Sequence, residues 1–393
     1  MPRKHPTHAQ LPVLPLYIYI YAHTQARTHS STHPFKSQFA FSGFRLDTHL
    51  GVLYTRVRSW GVMAPAAAFW VDSSMGTVCV MDASGQLGSA LVHRLLQRGY
   101  TVHAAVDNHG DELYEERQWG KYGEKLRVFH SDPLDYGSII PALKGCCALF
   151  YSFEPPSDYP TYDEYMGELE VRAAHNVLEA CAQTPTIDKV VFTSSAAAVI
   201  WKDSQQRSNN GVEDDDDVRV DERNWSDINF CKKFKLWHGV WKTVAEKTAW
   251  ALAKDRGVNM VSINGGLLMR PDLSIKDPYL LGAAEMFKNG VFVTVDLPFL
   301  VDAHICVFED SCSYGRYLCF NRIINSSKDI VKLATMLLPP TSDDDASGLE
   351  EDEKSCSVYQ QRISNHKLNK LMLHFDSDYN AAAAAAAPVY SQQ

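Results

Sequence analysis

Residues 77–103, TVCVMDASGQLGSALVHRLLQRGYTVH, are the stretch from which the rest of the chain can be laid out. Val78-Cys79-Val80-Met81 is a short apolar run and reads as a buried parallel strand. A turn follows, Asp82-Ala83-Ser84-Gly85-Gln86-Leu87-Gly88, and then Leu87, Leu91, Leu95 and Leu96 recur at helical spacing. Gly99 closes that helix, and Tyr100-Thr101-Val102-His103-Ala104-Ala105-Val106 reads as a second strand. This is one βαβ unit with glycines where its helix begins. Backbone N–H groups and the helix dipole at such a point favour a pyrophosphate.

Working outward, apolar runs recur at 126–129, 147–151, 189–193 and 258–263. Between them lie helix-like stretches at 112–122, 138–143, 162–181 and 235–254, the third carrying Leu169, Ala173, Val177 and Ala180 as a stripe. Strands alternating with helices in this way predict an α/β protein with a Rossmann-type, doubly wound parallel sheet over 76–264. The less regular 265–340 is expected as a smaller, C-terminal substrate lobe. Residues 341–393 read as an acidic, low-complexity and largely disordered tail with a helix near 358–374.

Composition narrows the function classes. The chain has 393 residues and a net charge of −9, so no nucleic-acid partner is expected. Part of that charge is local, in Glu213-Asp214-Asp215-Asp216-Asp217 and Asp343-Asp344-Asp345, which read as solvated loops. The nine cysteines fall mostly in apolar runs without CxxC pairs, as expected of reduced thiols in a cytoplasmic protein. No run is long and apolar enough for a membrane span, and no Cys/His cluster has zinc spacing, so neither membrane nor metal is expected.

Residues 1–62 differ from the remainder. They are rich in His, Thr, Ser and Tyr and lack a sustained period. Tyr17-Ile18-Tyr19-Ile20-Tyr21 is what a TATATA tract encodes, which suggests translated upstream sequence and a start at Met63 or Met75. The rival reading is an organelle transit peptide, basic, hydroxyl-rich and poor in acids.

The segment 78–106 resembles the opening of an extended short-chain dehydrogenase/reductase, in particular the plant cinnamoyl-CoA reductase and dihydroflavonol reductase group. LEVRAAHNVLEAC, KVVFTSSAAAV, NWSDINFCKKFKLWH, KTVAEKTAWALAKDRGVNMVSIN and GRYLCFN resemble the same group in the same order, so the likeness spans about 76–335. It implies a Rossmann fold, NADP or NAD as cofactor, and reduction of a small aromatic carbonyl compound or CoA thioester by a monomer or homodimer. The family's catalytic set is a Ser, a Tyr and a Lys four residues after the Tyr. Here Ser195 and Lys242 match, but the Tyr position carries His238. Spacing of four on a helix sets His238 and Lys242 on one face. Imidazole can donate a proton, yet a neighbouring ammonium depresses its pKa. Two readings stand: a working reductase with His238 as its acid, or an impaired nucleotide-binding pseudoenzyme with a regulatory role. A nucleotide-sugar epimerase or dehydratase is a further alternative on the same fold.

The resemblance also marks a cofactor site, formed by Asp82, Ser84, Gly85, Gln86, Leu87, Gly88, Asp107, Asp132 and Lys242. Asp82 stands at the family's first glycine, which puts a carboxylate near a pyrophosphate. Asp107 stands where relatives often carry an Arg for the 2′-phosphate; an acid there suits a free ribose hydroxyl, or it is an ordinary turn residue. Arg270 reads as a surface arginine or as a partner for a carboxylate or CoA phosphate, and His304 as structural.

Overall fold

The computed structural model describes residues 76–107, 120–155, 162–202, 219–337, 358–373 and 375. The leader, both acidic runs, the alanine tract at 381–387 and most of the stretch at 112–122 lie outside them.

In chain order the elements are β1 (Thr77–Met81), α1 (Gln86–Gln97), β2 (Thr101–Val106), β3 (Leu126–His130), α2 (Tyr136–Leu143), β4 (Ala148–Tyr151), α3 (Glu164–Ala182) and β5 (Lys189–Ser195). There follow α4 (Ile228–Lys233), α5 (Trp237–Arg256), β6 (Met260–Gly265), β7 (Leu267–Met269), α6 (Ala283–Lys288) and β8 (Val293–Asp296). The chain then forms α7 (Leu297–Glu309), β9 (Gly315–Cys319), β10 (Arg322–Ile323), α8 (Ser327–Leu337) and α9 (His366–Met372). The expected helix at 112–122 meets the described residues only at Gly120–Lys125, a 3-10 turn kinked at Gly123.

Seven strands form one sheet in the order β3-β2-β1-β4-β5-β6-β9. Every neighbouring pair is parallel. The central strands are buried on both faces, which is why they read as continuous apolar runs rather than alternating ones. On one face Leu87, Leu91 and Leu95 of α1 pack with Val78, Val80 and Ala104, and with Val301 and Ile305 of α7. On the other, α2, α3 and the end of α5 pack over Cys79, Leu149 and Val190. This is the doubly wound architecture expected.

Two expectations differ in detail. Residues 265–340 do not stay together as a lobe. β7, β8 and β10 form a separate three-stranded sheet. By contrast, α7 joins the main core and β9 pairs with β6 as the seventh strand of the large sheet. The tail also folds back. Ile363 and Leu368 are buried, Val220 bridges Ile363, and the Asn365 amide donates to the Phe320 carbonyl at 2.7 Å. Leu371, Met372 and Phe375 add partly buried contacts with the main core.

Glu246 of α5 holds the strand ends beneath the site. It is fully buried and accepts from Ser194, Ser262, Asn264 and Arg316, the last at 2.7 Å. Glu246→Gln leaves the Arg316 guanidinium buried without a counter-charge. A loss of about 2–3 kcal/mol in urea unfolding is expected. A loss below about 1 kcal/mol would show that the neutral amide serves as well.

Candidate active site

Because the large sheet is parallel, the C-terminal ends of its strands meet along one edge, where open α/β sheets bind ligands. β1 passes directly into the turn at Asp82. Its helix, α1, starts behind Gly85 with no side-chain cap and no acid in its first turn. The backbone N–H groups there are thus left for an anion. Gly88 is required by contact, since a Cβ on it would stand 2.0 Å from the Asp82 carbonyl. Leu87 turns into the core, so only its backbone faces the turn, whereas Ser84 is exposed.

Asp82 adopts φ 62°, a left-handed conformation that suits the glycine it replaces in relatives. Its carboxyl lies over Gly85, 2.9 Å from where a Cβ would be. Burial, then the charges of Glu154 and Asp107, push its pKa well above the carboxylate range, despite bonds from the Gly85 N–H and Ser152. Burial thus favours the neutral acid, the form that repels a pyrophosphate least.

Gln86, at the start of α1, donates to Asp272 at 2.7 Å and so ties the turn to the loop after β7. Arg270 in that loop is not a surface arginine: its side chain is 28% exposed and pairs with Asp272 and Asp277. Its charge also draws down the pKa of Glu154, which burial raises. Asp107 is exposed at the end of β2. Asp132, after β3, accepts from the Leu134 N–H at 2.8 Å and shapes the turn into α2.

Ser195 ends β5, and its hydroxyl accepts from the Ala197 N–H at 3.1 Å, capping a 3-10 turn. That bond leaves the hydroxyl proton free to donate. The turn packs against α5, whose first two turns carry His238 and Lys242. His238 is half-buried; its Nδ1 is shielded from water and unpartnered. Burial, then the Lys242 charge, lower its pKa to about 3. It is therefore a neutral imidazole at ordinary pH and carries no proton to give as imidazolium. His304 is buried, with Nδ1 against the Leu300 carbonyl at 2.7 Å and Nε2 against Thr193 at 2.8 Å, a structural role.

Three residues not singled out from sequence complete the site. Glu170 of α3 is buried and pairs with Lys242 at 2.8 Å. A Cβ at Gly167 would stand 2.0 Å from the Trp241 ring, so this glycine lets α3 lie close enough to α5 for the pair to form. Glu154 follows β4. Tyr162, just before the Asp163 cap of α3, sets its ring edge-on to His238 with centroids 5.1 Å apart.

The residues present fit a dinucleotide. The buried polar atoms left without a partner concentrate along this edge: Asp82 Oδ2, Tyr162 Oη, Glu170 Oε2, His238 Nδ1, Asn264 Oδ1 and Arg270 Nε. The turn supplies an uncapped helix start, and Lys242 supplies a cation by the end of β4, where its ammonium donates to the Phe153 carbonyl at 3.4 Å.

The family model described as "NAD dependent epimerase/dehydratase family" matches residues 78–220. Cinnamoyl-CoA reductase 1 of Petunia hybrida is 34% identical over 76% of this chain and 87% of its own length. Tetraketide alpha-pyrone reductase 1 of Arabidopsis thaliana is 31% identical over 68% and 83%. The crystal structure of vestitone reductase from alfalfa (Medicago sativa L.) superposes with a TM-score of 0.55 at 25% identity, covering 77% of this chain and 94% of that one. With that identity across most of its relatives' length and the same sheet, the chain belongs to the cinnamoyl-CoA-reductase-like branch of the extended short-chain dehydrogenase/reductases, a family of NAD(P)-dependent reductases.

Proposed function

We propose that the chain reduces a small aromatic carbonyl compound or CoA thioester at the edge where β5, α3 and α5 meet. What supports this reading is that Ser195 ends β5 in a turn packed against α5, that α5 carries His238 and Lys242 one turn apart, and that α1 begins uncapped at the end of β1. The backbone of Gly85, Gln86, Leu87 and Gly88 would hold the pyrophosphate, Asp107 the ribose, Asp132 the adenine side, and Lys242 the nicotinamide ribose. Bound there, the reduced nicotinamide supplies a hydride. Ser195 orients the carbonyl oxygen through a hydrogen bond from its hydroxyl, which keeps its own proton. His238, neutral, offers an N–H or a ring wall. Residues 76–264 serve the dinucleotide, and the small sheet with its loops covers the substrate.

Other features support the surroundings of that activity. Among the described residues the cysteines are free thiols, which supports a reducing compartment such as the cytoplasm. Among them, no helix is long and apolar enough to cross a membrane, and no group of His, Cys, Asp and Glu could hold a metal. The curated relatives named above are reductases, which favours turnover over a binding-only role.

Titration of the full chain with NADH and NADPH, followed by tryptophan quenching, tests the reading. NADH is expected to bind about tenfold more tightly, because a 2′-phosphate would face Asp107 at about 1 kcal/mol or more of repulsion. Asp107→Arg should reverse the order. Tighter NADPH binding by the unaltered chain overturns the assigned role of Asp107; binding of neither overturns the reductase reading.

A further inference from the structure

With the family's tyrosine replaced by His238, the site needs another donor for the carbonyl oxygen. The phenols around His238 differ in what their hydroxyls do. Tyr279 stands 6.0 Å from the His238 ring, but its hydroxyl donates to the Val293 carbonyl. Tyr151 of β4 has an unpartnered hydroxyl, but its ring packs on Phe192, with centroids 5.3 Å apart, and Glu170 and Asp82 both disfavour its phenolate. Tyr162 has neither commitment. It is 8% exposed, its Oη is buried, and no described residue bonds to it. Its ring meets His238 edge-on, with an interplanar angle of 86°. The Lys242 ammonium lies 5.9 Å from the ring centroid. The next residue, Asp163, caps α3 by accepting from the Met166 N–H at 3.1 Å, which fixes the backbone that presents the phenol.

We propose that Tyr162, entering from the start of α3, is the proton donor to the substrate carbonyl, in place of the helix tyrosine that α5 lacks. This rests on the reductase reading of the same site. The proton leaves Tyr162 Oη, and the new O–H bond forms on the carbonyl oxygen. The carbonyl carbon gains its C–H bond and two electrons from the reduced nicotinamide. The Lys242 ammonium, shared with Glu170, offsets part of the phenolate's charge, and the phenolate regains its proton from water that enters once the product has left. Among the described residues, His238 and Lys242 of α5 face Tyr162, with Glu170 of α3 behind Lys242. His238 is neutral, so it adds no competing positive charge and serves as the wall on which the phenol rests.

The test pairs Tyr162→Phe, which keeps the ring, with His238→Phe. Tyr162→Phe is expected to lower kcat about 100-fold or more, with KM within about threefold and dinucleotide binding unchanged. A second measurement needs no dinucleotide: the absorption of bound 4-dimethylaminocinnamaldehyde, which moves to the red when its carbonyl accepts a strong hydrogen bond. The red shift is expected in the unaltered chain and in His238→Phe, and is lost in Tyr162→Phe. A shift lost in His238→Phe and kept in Tyr162→Phe overturns the proposal and gives the role to His238. Absence of the shift in the unaltered chain overturns it as well. If the unaltered chain shows the Tyr162-dependent shift but binds no dinucleotide, the donor assignment stands and the reductase reading fails.

Discussion

Replacing Asp82 with glycine raises dinucleotide affinity, by about tenfold or more at a pH where the carboxyl is ionised and by less at a pH where it is protonated. Two effects add. Glycine accepts φ 62° freely, whereas an L side chain there is strained, Asp less than most. The substitution also removes the carboxyl that lies over Gly85, where a pyrophosphate would approach. The pH dependence follows from the raised pKa of Asp82. An arriving anion raises that pKa further, so binding takes up a proton. Affinity in the unaltered chain therefore falls as pH rises through the Asp82 pKa, and the glycine variant loses that slope. Stability has a parallel sign. Unfolded Asp ionises near its ordinary value of 3.8, while the folded chain still holds the proton. Stability thus falls as pH rises from 3.8 to the higher folded pKa, and Asp82→Gly flattens this window. Quenching titrations at both pH values check the affinity, and urea unfolding across the window checks the stability. Equal affinity in variant and parent across the whole pH range would mean that the carboxyl does not meet the pyrophosphate.

Much of this site is legible in sequence because its signals are local. The Val78–Met81 run, the glycine turn and the Leu87/Leu91/Leu95 spacing lie within a few residues of one another, and they produce the β1-α1-β2 unit. Spacing of four sets His238 above Lys242 on α5. What escapes is long-range pairing. A glutamate in a helix reads by default as solvated, yet Glu170 falls between Met166 and Ala173-Ala174 on the buried face of α3. That spacing was the available signal. The partner that makes its burial tolerable, Lys242, is 72 positions away. Tyr162 is similarly silent in sequence, because its meaning comes only from the neighbour that α5 brings to it. The helix expected near 358–374 is present at His366–Met372, but its docking through Ile363 and Leu368 escapes, since the elements that receive them are distant in sequence.

The pairing of Lys242 with Glu170 predicts the largest change in stability. Lys242→Met is expected to destabilise the fold by about 3–5 kcal/mol at neutral pH, read from urea unfolding. The side chains are 12% and 2% exposed, so solvent screens little of their interaction. Without the ammonium, the Glu170 carboxylate remains in the core with only Oε1 formerly paired and Oε2 already without a partner. Its pKa, raised by burial and held down by Lys242, then rises further. Acidification protonates it, so the penalty of Lys242→Met shrinks as pH falls toward about 5. The double variant Lys242→Met/Glu170→Leu removes both charges and should recover most of the lost stability, because an apolar pair of similar volume can replace a buried ion pair. It should nonetheless bind dinucleotide poorly, since the cation expected at the ribose is gone. A single-variant loss below about 1 kcal/mol would show that water reaches the pair and screens it. Recovery of stability together with full dinucleotide affinity in the double variant would remove Lys242 from the cofactor site and leave it a purely structural lysine.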